Sequence, residues 1–150
     1  ADHRRSSRHL HVLEFMRMLW SIEHGLQRIS KRMNRTLGIT GGQRLVLLTV
    51  SRYRQLSPKE LARLLHLHPS TITGVVQRLE SKKLLERDTD AHDSRRVHLR
   101  VSRKGQRFTR SRSKTVETAV TRALARVPRQ QLGHARSVLA ALANALNADS

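Results

Sequence analysis

Two helix starts set close together constrain this chain more than any other feature. They lie in LSPKELARLLHLHPSTITGVVQRLESKKLLER, residues 56–87. Ser57, Pro58 and Glu60 read as a capping box with proline at the first helical position. There the serine accepts a backbone N–H, the glutamate reaches back to the cap, and proline's missing N–H costs nothing. Leu61, Ala62, Leu64 and Leu65 then make a short helix. His68-Pro69 restarts the chain, because a residue before proline is pushed out of the helical region and proline suits a first turn. The next helix is expected over residues 69–82, with Ile72, Val75, Val76 and Leu79 turned inward. Ser70, Thr71, Thr73, Gly74, Gln77 and Arg78 then face outward or sit on the edge. Two short helices joined by a tight turn are a helix-turn-helix. The outer face of the second is small, hydroxylic and basic, and Gly74 lets another surface approach closely.

Beyond Leu84-Leu85 the sequence becomes polar and acidic, and then alternates. Val97, Leu99 and Val101 interleave with His98 and Arg100, and the run stops at Gly105. A period of two marks a half-buried strand, since successive side chains point to opposite faces. Its open face is expected to be basic. Helix-turn-helix followed by a hairpin over residues 84–101 is a winged helix.

The flanks read as helices. From about His9 to Leu37, the residues Leu13, Met16, Leu19, Trp20, Leu26, Ile29, Met33 and Leu37 recur at three- and four-residue steps. Gly38 stands at a good C′ position. Thr40 is placed to cap a helix over residues 41–53, with Leu45, Val46, Leu48 and Thr49 inward. After Ser102 a stripe of Val116, Val120, Ala123, Leu124 and Val127 is broken by Pro128. The final helix then turns Leu132, Ala135, Leu139, Leu142 and Leu146 inward. There is no internal repeat, and both ends are expected to fray. Hydrophobic residues make up 37% of the chain and aromatics 3%, so the core is thin. A thin core in a basic helical chain favours burial completed by dimerisation.

The expected fold is therefore mainly α with a small β-wing, in a single domain over residues 1–150. Its winged helix-turn-helix covers residues 40–104, between dimerisation helices at 9–37 and 106–147.

Thirty Lys and Arg against eleven Asp and Glu give a net charge of +19. Such a chain repels itself unless a polyanion is near, and nucleic acid comes before an acidic membrane surface. Arginine outnumbers lysine, which suits bidentate contacts to phosphate and guanine. There is no cysteine, which excludes disulfides and thiolate zinc sites. No stretch approaches the apolar length of a membrane span, and the basic N-terminal ADHRRSSRHLHV has no apolar signal core behind it. A soluble, cytoplasmic protein is expected.

His9-x-His11 and His66-x-His68 are the closest histidine pairs. Two residues apart on a helix means different faces, so neither makes a shared metal site, and no cofactor is expected. Nothing matches G-x-S-x-G, a P-loop or a G-x-G-x-x-G turn, and Gly41-Gly42 follows a cap rather than a strand. Catalysis is not expected.

The chain resembles the MarR family of bacterial transcription regulators over nearly its whole length. The most specific part is Asp93-Ser94-Arg95-Arg96-Val97-His98-Leu99-Arg100-Val101-Ser102-Arg103-Lys104-Gly105. It is similar to the family's D-x-R, alternating strand, Leu-Thr and glycine, with Val101-Ser102 in place of Leu-Thr. Pro69 through Glu80 resembles the recognition helix. Lys83 departs from the pattern, since glycine is common there, and a lysine in the left-handed region costs about 1 kcal/mol.

The resemblance implies a homodimer on a pseudo-palindromic operator in double-stranded DNA, with a recognition helix in each of two successive major grooves. Arg95, with Arg96 beside it, is then expected in the flanking minor groove, and Asp93 is expected to hold the Arg95 guanidinium. Ser70, Thr71, Thr73, Gly74, Gln77 and Arg78 are the matching major-groove set. The bland alternatives are a solvated turn for the wing arginines and an ordinary capped polar helix face. The resemblance also implies repression relieved by a small phenolic or aromatic effector where the dimerising helices meet the winged domain. Trp20, His24, Arg28 and Arg44 are candidate liners there; the alternative has Trp20 in the core and the others in solvent. The rival function is a sequence-indifferent nucleoid-associated or RNA-binding protein, which shares the charge but needs no shaped recognition helix.

Overall fold

The computed structural model describes residues 2–110 and 112–148, with side chains from residue 9 onward. The parts of the expected domain that fall on Ala1, Ser111, Asp149 and Ser150 lie outside the described residues, as does the expected fraying at those ends. The chain runs α1 (Asp2–Leu37), α2 (Gly41–Arg52), α3 (Pro58–Leu64), α4 (Pro69–Ser81), β1 (Leu85–Thr89), β2 (Val97–Val101), a 3-10 turn (Gly105–Phe108), α5 (Val116–Leu124) and α6 (Arg129–Ala148). This is the mainly helical fold with a small two-stranded wing that the sequence predicts.

Local chemistry sets the boundaries. Gly38 ends α1 at φ 77°, donating its N–H to the Asn34 carbonyl. Thr40 starts α2 with a full capping box: its hydroxyl accepts from the Gln43 N–H, and the Gln43 side chain accepts from the Thr40 N–H. Ser57 and Glu60 do the same for α3, with Pro58 in the first turn. The Glu60 carboxylate accepts from the Ser57 backbone N–H, and its pKa is lowered chiefly by that bond and then by the Ser57 hydroxyl.

Both helices of the helix-turn-helix end in the same way. Leu67 N–H bonds the Ala62 carbonyl and His66 N–H bonds Arg63; Leu84 N–H bonds Leu79 and Lys83 N–H bonds Glu80. These are paired Schellman closures. They put His66 (φ 51°) and Lys83 (φ 58°) in the left-handed region that favours glycine. Lys83 thus keeps the turn that glycine would make, and α4 exits into β1 in the ordinary way.

β1 and β2 pair antiparallel, Leu85 opposite Val101 through Thr89 opposite Val97. Leu99 N–H also bonds the Leu56 carbonyl, which ties the wing to the start of the helix-turn-helix. The buried core is Ile39, Val46, Leu47, Val50, Leu56, Leu61, Ala62, Ile72, Val76, Leu79, Leu84, Leu85, Leu99 and Val101. Every member lies between α1 and the end of β2, so the winged helix is a closed hydrophobic unit.

Several sequence expectations are corrected. α2 turns Val46, Leu47 and Val50 into that core, while Leu45 is exposed and Leu48 and Thr49 are half-buried. The helix has a second apolar edge, which faces α1 and α5. Leu61 and Ala62 carry the buried face of α3, and Leu64 is exposed. The open face of β2 is not basic in sum. The register sets Glu86 opposite Arg100 and Asp88 opposite His98; Arg100 pairs with Glu86 and diagonally with Asp88, and His98 faces Asp90 just past β1. Only Met33 of the long α1 stripe is buried, and neither α5 nor α6 has a buried residue. Residues 109–110 and 112–115 are not helical, so the expected helical region 106–147 is interrupted.

Candidate nucleic-acid interface

α4 is amphipathic in the sense the sequence predicts. Ile72, Val76 and Leu79 are buried; Ser70, Thr71, Thr73, Gln77 and Arg78 are exposed on the other side, with Gly74 and Val75 half-buried between them. His68 is the N-cap: its Nδ1 accepts from the Ser70 N–H (3.1 Å) and lies 2.6 Å from the Ser70 hydroxyl. The capping role weighed for Ser70 and Thr71 therefore belongs to His68. Thr73 returns its hydroxyl to the Pro69 carbonyl (2.9 Å). Thr71, Gln77 and Arg78 make no side-chain hydrogen bond or ion pair among the described residues, so their polar groups are free for a partner. A Cβ built on Gly74 would meet only the Arg78 guanidinium, at 3.7 Å. Nothing inside the chain requires glycine there.

The wing tip is built by two aspartates. Asp90 Oδ1 accepts from the backbone N–H of His92 (2.8 Å) and Asp93 (3.3 Å), and its Oδ2 faces His98 Nε2 at 3.3 Å. The His92 N–H, then His98, hold the Asp90 carboxyl below its ordinary pKa. Asp93 Oδ1 accepts from the Arg95 N–H (3.0 Å), and Oδ2 sits 3.9 Å from the Arg96 guanidinium. Asp93 was expected to hold the Arg95 guanidinium; it holds the Arg95 backbone instead, since a side chain this short closes an Asx turn two residues on. The effect is to fix the backbone that carries the arginine. Arg95 and Arg96 are exposed, and the Arg95 side chain has no acidic partner among the described residues. Every other wing cation within the two strands is paired.

The wing is anchored at Ser102 and Gly105. The buried Ser102 hydroxyl donates to the Lys83 carbonyl (2.7 Å) and accepts from the Gly105 N–H (2.9 Å). A hydroxyl is what this position needs, so serine serves where threonine is common. Sequence reasoning missed Asp90 and Ser102. The Asp-x-His and Ser-x-x-Gly spacings signal such local turns, but nothing local says which turn the hairpin uses.

The four candidate effector liners are not brought together. Trp20, His24 and Arg28 are exposed on α1, whereas Arg44 is 1% exposed. Arg44 donates to Glu117 Oε1 through Nε (2.6 Å), to the Arg110 carbonyl (2.8 Å) and to the Phe108 carbonyl. It staples α2 to the segment after the wing and to α5. Burial raises the Glu117 pKa, but hydrogen bonds from Arg44, its own backbone N–H and Thr115 outweigh that, and the net shift is downward. A groove of about 470 Å³ does lie between α1, α2 and α5, walled by Leu26, Leu45, Leu48, Val116 and Val120, with Ser30 and Glu117 as polar members. None of the four candidates lines it. Among the described residues, no group of three or more metal-ligating side chains converges, and no helix is long and apolar enough to cross a membrane.

Residues 37–96, from the end of α1 to the wing tip, match the MarR family. The winged helix-turn-helix of this chain is thus similar to that family's. The MarR-type likeness extends further in structure. The chain is similar to Staphylococcus aureus MepR in a complex with DNA, at 19% identity and a TM-score of 0.69, over 88% of this chain and 97% of that one. It is similar to the transcriptional regulator BldR from Sulfolobus solfataricus, at 23% identity and 0.70, over 86% and 94%. It is also similar to a MarR/EmrR family regulator from Acinetobacter sp. ADP1, at 18% identity and 0.71, over 91% and 94%. At these identities the structural likeness speaks for the MarR-type fold, outer helices included. Among proteins of curated function, none matches the sequence.

Proposed function

We propose that the chain is a homodimeric, sequence-specific DNA-binding transcriptional regulator, a repressor acting on a pseudo-palindromic operator. The observation that carries this reading is the unoccupied outer face of α4 beside an unpaired wing arginine. Among the described residues, Thr71, Gln77 and Arg78 have no side-chain partner, Gly74 has no neighbour that requires it to lack a side chain, and Arg95 has no acid. A major groove supplies what each lacks. The first-turn amides and hydroxyls at Ser70, Thr71 and Thr73 meet phosphate. Arg78 pairs bidentately with guanine and Gln77 with adenine, and the bare backbone at Gly74 lets the helix seat deeply. Arg95 and Arg96 enter the minor groove beyond, with Asp93 fixing the tip.

Dimerisation is supported by what the single chain leaves uncovered. Leu13, Phe15 and Trp20 on α1, Val120 and Leu124 on α5, and Val138, Leu139 and Leu146 on α6 are all exposed. Soluble monomers rarely leave so much apolar helix surface open. Residues 9–37 and the helices within 106–147 are therefore the dimerisation elements, and residues 40–104 the DNA-binding unit. The groove between α1, α2 and α5 suits a small aromatic or phenolic effector, its aliphatic walls taking the ring and Glu117 or Ser30 taking a phenolic O–H. Such a ligand lowers DNA affinity only by its differential affinity for the two spacings of the recognition helices.

The test is binding to the DNA upstream of the protein's own gene, with excess nonspecific competitor, across a salt series. A symmetric protected site that keeps at least about a thousandfold preference is the expected result. Binding that competitor removes at every salt would favour the sequence-indifferent reading instead.

A further inference from the structure

α6 holds the turn of the helix-turn-helix. His66, the left-handed residue between α3 and α4, donates from Nδ1 to Asn144 Oδ1 (2.9 Å). Its backbone carbonyl accepts from Asn147 Nδ2 (2.7 Å). Asn144 and Asn147 lie one turn apart on α6 and so share a face. Asn147 Nδ2 also donates to the Ala143 carbonyl (2.7 Å), which fixes the amide's direction. The residue gripped is the one whose backbone sets the angle between α3 and α4.

This clamp is the polar link between α6 and the winged helix among the described residues. The rest of that side of α6 is held off. An open cleft of about 720 Å³ separates Leu65 and His66 from Leu132, Leu139 and Ala143. No residue of α6 is buried. The helix is thus anchored to the helix-turn-helix at one end, while its apolar side chains Val138, Leu139 and Leu146 stand open to a second chain.

We infer that Asn144 and Asn147 are positioning residues for operator recognition: through His66 they set the attitude of each recognition helix relative to the dimer, and so the half-site spacing the protein accepts. The inference rests on the regulator reading. A helix that belongs to the dimer and grips the recognition turn fixes the distance between two copies of α4. Without the grip, each winged helix turns on α1 and the connections to α5, and operators of altered spacing become tolerable. The two asparagines touch no DNA in this account.

The experiment uses the full-length protein and the Asn144→Ala/Asn147→Ala double variant. Alanine is the better helix former at both positions, so α6 survives. Wild-type protein first selects duplexes from a library randomised over thirty base pairs. The best symmetric duplex, and forms of it with one base pair added or removed at the centre, are then bound to both proteins, with sedimentation to verify that both remain dimers. The double variant is expected to bind the best duplex about tenfold more weakly, the effect of two lost hydrogen bonds. Its discrimination against altered spacing is expected to fall by at least the same factor. A merely structural role would weaken all three duplexes equally and leave the spacing preference intact, and that result would overturn the inference. Failure of the wild-type protein to enrich any symmetric duplex would overturn the regulator reading, and this inference with it.

Discussion

Gly105 has no room for a side chain. A Cβ there would lie 2.1 Å from the Leu84 carbonyl oxygen and 2.8 Å from Val101 Cγ1. Both are fixed, one by the Ser102 N–H and the other by the core. Gly105→Ala should therefore cost about 2–3 kcal/mol of stability, as overpacking against backbone does, read as a lower urea midpoint. Lys83 is the opposite case. Its side chain makes no hydrogen bond among the described residues, yet its backbone sits at φ 58°. Lys83→Gly should raise stability by about 0.5–1 kcal/mol, the strain relieved less the entropy glycine adds to the unfolded chain. An unchanged or lowered melting temperature would mean the turn carries no strain. Gly74 separates folding from function. An added methyl meets nothing closer than 3.7 Å, so Gly74→Ala should hold or raise stability by up to about 1 kcal/mol on helix propensity. The same methyl should weaken operator binding at least about tenfold if the helix backbone seats against DNA. Full affinity in that variant would move the contact face away from Gly74.

Between elements, the Arg44–Glu117 staple joins α2 to α5, and it carries a pH signature. Glu117 has a folded pKa below its ordinary 4.5. The pair's contribution is whole above that value, where the unfolded carboxylate is also charged, and fades as pH falls through the lower folded value. Glu117→Gln should lower stability by about 1 kcal/mol at neutral pH, discounted for the carboxylate's partial exposure. The gap to wild type should close in denaturant titrations carried below pH 4.5. A gap that is constant with pH would show that the charge does not matter there. The staple also marks the boundary of what the sequence discloses. The capping boxes at Thr40-Gln43 and Ser57-Glu60 are complete within a single turn, so the residues alone specify those helix starts. The alternation of Val97, Leu99 and Val101 specifies the wing in the same way. Arg44 finds Glu117 and the Phe108 carbonyl 73 and 64 residues along the chain, and no local pattern announces a buried arginine. The core face of α2 is not legible locally for a related reason: its two apolar edges have the same period, and only tertiary packing tells core-facing Leu47 from groove-facing Leu45. The charge on β2 likewise depended on register, which sets Glu86 opposite Arg100. The outer face of α4 is legible because its polar side chains bond only within the first turn or, for Thr71, Gln77 and Arg78, to nothing among the described residues.

At the scale of the molecule, the closed core of the winged helix and the open faces of α1, α5 and α6 separate the residues that hold the fold from those the proposed dimer would cover. Met33 is the one deeply buried apolar side chain α1 supplies, while Trp20 is 62% exposed. Trp20→Glu therefore removes little from the isolated chain, and its unfolding should stay cooperative with a nearly unchanged winged-helix core. In a dimer closed by these helices, the same change sets an unpaired carboxylate against apolar surface. The variant should sediment as a monomer at concentrations where the wild type is a dimer. DNA binding then reports the consequence twice. Losing the second half-site should weaken operator affinity by about 10²–10⁴, the effective-concentration advantage of two linked modules. Each chain neutralises its own set of phosphates, so the slope of log K against log salt should also fall to about half the wild-type value. The slope is the sharper reading, because it counts phosphates rather than stability. A monomeric variant that kept the full slope would mean that one chain makes all the ionic contacts, and the two-groove arrangement would be wrong. A variant that remained dimeric would instead place the interface on α5 and α6 without Trp20.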